Sequence, residues 1–161
     1  MKKTGNEKQA TGPGTLLAGG GQRAAGNGQV PSAELRLGSN IAARLVEFAA
    51  GITAIVKALP KDIAGRHVAS QLFRSGTSGG ANYEEARAAE SPADFIHKVS
   101  IAAKETRESI FWLRLVERSA MTTMAVAPFV SEARELAAIL FASARTARER
   151  AAREQAEPRK T

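Results

Sequence analysis

The stretch RSGTSGGANYEEARAAESPADFIHKVSIAAKETRESIFWLRL, residues 74–115, decides the fold. At its centre Ser91-Pro92-Ala93-Asp94 has the composition of a helix start. Serine caps, proline takes the first helical position, where no amide hydrogen is missed, and a carboxylate sits near the positive end of the helix dipole. From there Phe95, Val99, Ala102, Thr106, Ile110 and Leu113 recur at helical spacing and predict a helix to about Arg118. Upstream, Gly65, Ala69, Leu72, Gly76, Gly79, Tyr83 and Ala86 form one stripe of mostly small residues. A glycine inside a helix costs about 1 kcal/mol relative to alanine, a cost that suits a site where another backbone approaches closely. The spacing predicts a continuous helix from its cap, Asp62, towards Ala89; a bend or break around Gly76–Gly80 is the competing reading.

Working outward, Ile41, Leu45, Phe48, Ile52, Ile55 and Leu59 are spaced 4, 3, 4, 3 and 4, a seam of heptad type that predicts another helix. Ser39 or Asn40 is placed to cap it and Pro60 to stop it. On the other side Val126, Phe129, Ala133, Leu136 and Leu140 define a last helix, whose charged tail from Arg145 to Arg153 is expected to fray. No segment reads as a strand. Four helices with short connections predict an all-α, antiparallel, up-and-down four-helix bundle over residues 39–147. Residues 1–38, with nine of the fourteen glycines and almost no apolar periodicity, are expected to be a disordered extension. Residues 148–161 are expected to be a charged tail, frayed helix or disordered.

With 161 residues the chain suits one domain, and with no cysteine it has neither disulfides nor thiolate metal sites. No apolar run approaches the roughly 20 residues needed to span a membrane, so the expected location is the cytoplasm. The net charge of +7 points to an anionic partner, but it is unevenly spread. Residues 1–39 hold five basic and two acidic groups and residues 146–161 five and three, whereas residues 40–145 hold thirteen and eleven. Most of the excess therefore lies in the tails.

Gly76-Thr77-Ser78-Gly79-Gly80 matches the G-x-S-x-G pattern of a hydrolase nucleophile elbow. That motif needs a preceding strand and a histidine base, whereas Val68–Phe73 reads as helix and only His67 and His97 are present. Asp94 and His97 have the spacing of half a di-iron pair, without the second pair that such a site requires. With no P-loop, dinucleotide fingerprint or zinc pattern, the expectation is a non-enzymatic protein with no catalytic residue, cofactor or metal.

Three other groupings stand out. Lys104, Arg107, Arg114 and Arg118, with Phe111 among them, form a basic stripe facing away from the core. It suits phosphate contact and base stacking in RNA or DNA, or else it is a solvated face paired with Glu108 and Glu117. Ile101, Phe111, Trp112 and Leu115 give the same helix a second apolar side, an expected homo-oligomer or partner interface unless another part of the chain covers it. Ser78, Asn82 and Glu85, with Glu108 as a possible neighbour, are expected to form a structural polar network between helices.

Leu59-Pro60-Lys61, Ser78-x-x-x-Asn82-x-x-Glu85 and Asp94-Phe95-Ile96 together resemble the bacterial four helix bundle protein family over about residues 40–146. That family includes proteins encoded in intervening sequences of large-subunit rRNA genes, and it is similar to the accessory variability determinants of diversity-generating retroelements. Gly80-Ala81-Asn82-Tyr83 and Phe111-Trp112-Leu113 look like one subgroup within it. The resemblance implies a bundle assembled as a ring-like pentamer and a nucleic-acid-associated accessory role. For retroelement members it implies a reverse transcriptase as partner. It lends no catalytic residue. A protein-binding scaffold without nucleic-acid contact is the alternative.

Overall fold

Proline and short polar caps divide the chain into four helices. The computed structural model describes residues 33–156. The expected disordered extension lies outside the described residues as far as residue 32, as does the end of the tail, 157–161. Helix α1 is Ala33–Ala58, α2 Ile63–Arg87, α3 Pro92–Arg118 and α4 Ala127–Ala156. Among the described residues there is no strand. Neighbours in the chain are neighbours in space: α2 packs on α1 and on α3, α3 on α4, and α4 closes back more sparsely on α1. This is the antiparallel four-helix bundle that the apolar spacing predicts.

The caps form as the sequence predicts. The Asp62 carboxylate accepts from the Gly65 amide at 2.7 Å, and the Ser91 hydroxyl accepts from the Asp94 amide at 3.2 Å with Pro92 opening the helix. Each satisfies an amide that the first turn leaves without a partner. The end of α3 is a Schellman motif: Met121 donates to the Val116 carbonyl at 3.1 Å and Ala120 to Glu117 at 3.2 Å. Ala120 takes a left-handed φ of 46° to allow it.

Two boundaries differ from expectation. Helix α1 begins at Ala33, so Ser39 and Asn40 lie inside it and neither caps it. Ala-Glu-Leu-Arg-Leu at 33–37 favours helix strongly enough to carry the turn through Gly38, which costs about 1 kcal/mol. Helix α4 does not fray at residue 148 but runs on to Ala156, because it has a neighbour there. Arg148 donates to the Ser100 hydroxyl at 2.7 Å, and Ala151 is half-buried near the start of α3.

The five seam residues of α1 from Ile41 to Ile55 are buried, as is Leu59 just past its end, together with Leu72, Val99, Leu113, Val116, Leu136 and Leu140. Helix α2 is continuous through its glycines. A β-carbon on Gly76 would lie 2.7 Å from Ile52 Cγ2, and one on Gly79 would lie 2.5 Å from Thr106 Oγ1. The small stripe thus lets α2 sit close to α1 on one flank and α3 on the other. Arg44 holds α1 to α4 through both carboxylate oxygens of Glu132, at 2.8 and 2.9 Å, and Glu135 at 2.8 Å. The hydrogen bonds to Glu132 are the main reason its guanidinium is held above its ordinary pKa.

Candidate nucleic-acid interface

The core stripe of α3 fixes what its other faces present. With Val99, Ala102, Thr106, Leu113 and Val116 turned inward, Lys104, Arg107, Arg114 and Arg118 are all exposed on the outward side. None of these four makes an ion pair or side-chain hydrogen bond with a described residue. Pairing with Glu108 or Glu117 does not occur. Glu108 accepts from Arg74 at 2.6 Å and from the Trp112 indole nitrogen at 3.1 Å, and Glu117 makes no ion pair. Phe111, in the middle of the stripe, is 60% exposed.

The second apolar side of α3 is only partly open. Ile101, Trp112 and Leu115 are half-buried, and the latter two pack against the core cluster. Trp112 lies edge-on to His67 at 5.7 Å and to Phe111 at 4.9 Å between ring centres. Of the four expected interface residues, Phe111 alone is largely exposed.

The expected polar network is not assembled. Asn82 donates to the Ser78 backbone carbonyl at 2.9 Å, Glu85 pairs with Lys98, and Glu108 pairs with Arg74. Arg74, beside Glu108, is eleven residues from Glu85 along α2, about 16 Å at 1.5 Å per residue, so the two carboxylates cannot share partners. The buried polar seam consists instead of Ser75, Ser109 and Thr106. Ser109 bonds Ser75 at 3.2 Å, Ser75 donates to the Gln71 carbonyl at 2.9 Å, and Thr106 donates to Ala102 at 2.8 Å. Described residues contain no buried side-chain nitrogen or oxygen without a partner.

Nothing in this arrangement resembles a reaction centre. Ser78 lies inside a helix and not on a strand-to-helix turn. Among the described residues no three His, Asp or Glu side chains gather as a metal site, and no helix is long and apolar enough to cross a membrane. A groove of about 1110 Å³ opens between α1 and α4, near the start of α3, over Ile41, Tyr83, Phe95 and Ile139. Its titratable groups are Tyr83, Arg87, Glu90, Arg150 and Glu154, and no histidine lies beside its hydroxyls.

Sequence reasoning missed the α4 side of this surface. Arg134, Phe141, Arg145 and Arg148 are exposed on α4. The seven-residue spacing of 134, 141 and 148 could have shown that three of them share a face.

The fold and surface define an all-α bundle with an exposed basic face on α3 whose cations have no acidic partner among the described residues. Residues 39–142 match the 23S rRNA-intervening sequence protein family, and the chain belongs to that family. It is also similar to a crystal structure of a protein of unknown function from the S23 ribosomal protein family of Bacteroides thetaiotaomicron VPI-5482. The two are 33% identical with a TM-score of 0.61, over 67% of this chain and 97% of that one. Among curated proteins none matches.

Proposed function

We propose that this chain is a non-enzymatic, homo-oligomeric accessory protein that works on nucleic acid, with Lys104, Arg107, Arg114 and Arg118 contacting phosphates. The observation that carries the reading is that these four exposed cations have no acidic partner among the described residues, although Glu108 and Glu117 lie on the same helix. Solvated helix faces commonly pair such charges at a spacing of three or four residues. Four unpaired cations on one face instead raise the local concentration of a polyanion and its rate of encounter. The family name adds the direction, since it ties these proteins to intervening sequences of 23S rRNA.

The test is binding of structured RNA and duplex DNA across a salt series, comparing the whole chain with K104Q/R107Q/R114Q/R118Q. Weaker binding by the variant is expected, with the slope of log K against log salt falling by about one for each phosphate that is no longer neutralised. Unchanged affinity and slope would sink this reading of α3 and move the credit to the basic tails.

A second reading is a protein-docking scaffold, favoured by one observation: exposed Phe111 stands edge-on to Trp112, next to half-buried Leu115. Capture of a partner that survives high salt and fails for W112A would favour it over nucleic-acid contact.

A further inference from the structure

Arg148 of α4 donates to the Ser100 hydroxyl of α3 at 2.7 Å, which sets these two positions level across the antiparallel pair. Seven residues back along α4 from Arg148 is Phe141, and seven forward along α3 from Ser100 is Arg107. Another seven brings Arg134 level with Arg114. Seven residues are close to two helical turns, so each set keeps to one face and the levels repeat every ~10.5 Å. The furrow between the two helices is therefore bordered in turn by Arg148, by Arg107 with Phe141, and by Arg114 with Arg134. Lys104, Phe111 and Arg118 flank it on α3, and Arg145 on α4.

Its charge is nearly all of one sign. Arg134 makes no ion pair with a described residue, and Arg145 reaches Glu149 only at 4.0 Å. Arg148 uses one bond on Ser100, whose own proton goes to the Ile96 carbonyl. Arginines at one level on adjacent helices repel each other, a cost that a bridging anion turns into a gain. Two phenylalanines belong to the same surface, Phe111 60% and Phe141 37% exposed. Their levels differ by four residues, about 6 Å at 1.5 Å per residue. A polyanion without bases gives those rings nothing to stack on, and a duplex keeps its bases stacked internally.

We infer that the α3–α4 furrow, rather than α3 alone, binds an unpaired nucleic-acid strand, with phosphates on the arginines of both helices and bases stacked on Phe111 and Phe141. The inference rests on the nucleic-acid reading above and adds to it a second helix and a strand preference.

The experiment measures affinity of the whole chain for fluorescent oligouridylate, the matching thymidine oligonucleotide, a blunt RNA duplex and inorganic polyphosphate at one salt concentration. Variants are F141A, F111A, R134E and the α3 variant K104Q/R107Q/R114Q/R118Q. All the altered residues are exposed, and circular dichroism confirms that each variant is folded. The expected result is tighter binding of the single strands than of the duplex. F111A and F141A should each lose about tenfold for the single strands, within the range for one base–aromatic stack, with polyphosphate unchanged. R134E should weaken all the polyanions. If F141A and R134E bind single strands like the parent while the α3 variant fails, the furrow is wrong and the α3 reading stands. Tighter binding of the duplex overturns the strand preference. If the parent binds no nucleic acid, both readings fall together. The ratio of uridylate to thymidylate affinity separates an RNA site from a general single-strand site, either of which supports the furrow.

Discussion

Ser75 of α2 and Ser109 of α3 meet with their hydroxyl oxygens 3.2 Å apart, both fully buried. They are the polar centre of the most extensive helix contact in the bundle. Each also has a backbone carbonyl within reach, Gln71 at 2.9 Å and Glu105 at 3.1 Å, so neither depends on the other for satisfaction. Losing one hydroxyl should therefore be mild. S75A and S109A are each expected to cost about 1 kcal/mol in urea melts, with weak coupling in the double mutant. S75L, which forces a larger side chain into the same filled space, should cost about 3 kcal/mol. Strong coupling between the two alanine changes would mean that the serine pair, and not the carbonyls, satisfies these hydroxyls.

Gly79 makes the complementary contact one turn along α2. A β-carbon there would stand 2.5 Å from Thr106 Oγ1, which is committed to the Ala102 carbonyl at 2.8 Å. Alanine normally gains about 1 kcal/mol over glycine inside a helix. Here that gain meets an overpacking cost of about 1 to 3 kcal/mol. G79A is expected to lower the urea midpoint despite its better helix propensity. G79A/T106A should recover most of the loss by removing the clash. Stabilisation by G79A alone would show that α2 and α3 have room to part.

Ala120 pays for the Schellman turn with a φ of 46°, where the β-carbon crowds the following carbonyl. Glycine has no such penalty and is the common residue at this position. A120G should raise stability by about 0.5 to 1 kcal/mol, which is about 2 to 5 °C in melting temperature for a domain of this size. Its far-UV spectrum should not change. A lower melting temperature would mean that the turn is not left-handed in solution.

What the sequence revealed, and what it hid, follows from the range of the forces involved. Asp62 and Ser91 were legible as caps because their partners lie three residues away. The α1 seam from Ile41 to Leu59 was legible because one helical period sorts it. The start of α1 was misread because Ser39-Asn40 resembles a cap, while the good helix formers before Gly38 outweigh one glycine. The polar seam was misplaced because a helical wheel gives a face and not a partner. Ser78, Asn82 and Glu85 share a face, but the register of α2 on α3 brings Ser75 to Ser109 and sends Glu85 to Lys98. For the candidate site, the α3 stripe was legible from its own spacing. The α4 half became visible only once Arg148 set the two helices in register.

Tyr83 gives the bundle an alkaline limit. Its ring is buried between α1 and the α2–α3 corner, with the hydroxyl facing the Gly38 carbonyl at 3.5 Å. Burial raises the phenol above its ordinary value of 10.0, partly opposed by Arg87 and reinforced by Glu84. A raised acid is harder to ionise in the folded chain than in the unfolded one. The unfolded state therefore loses the proton first, and stability falls as pH rises through the ordinary tyrosine range towards the folded value. Below about pH 10 this contribution is complete, since the phenol is then neutral in both states. The melting temperature should therefore decline above about pH 10 for the parent and decline less for Y83F, which cannot ionise. This is the chain's only tyrosine, so the phenolate absorbance near the ultraviolet edge reports the same group directly. Its apparent pKa should lie above that of the urea-unfolded chain. Equal values would show that Tyr83 is open to solvent, and an alkaline decline that persists in Y83F would show that another group sets the limit.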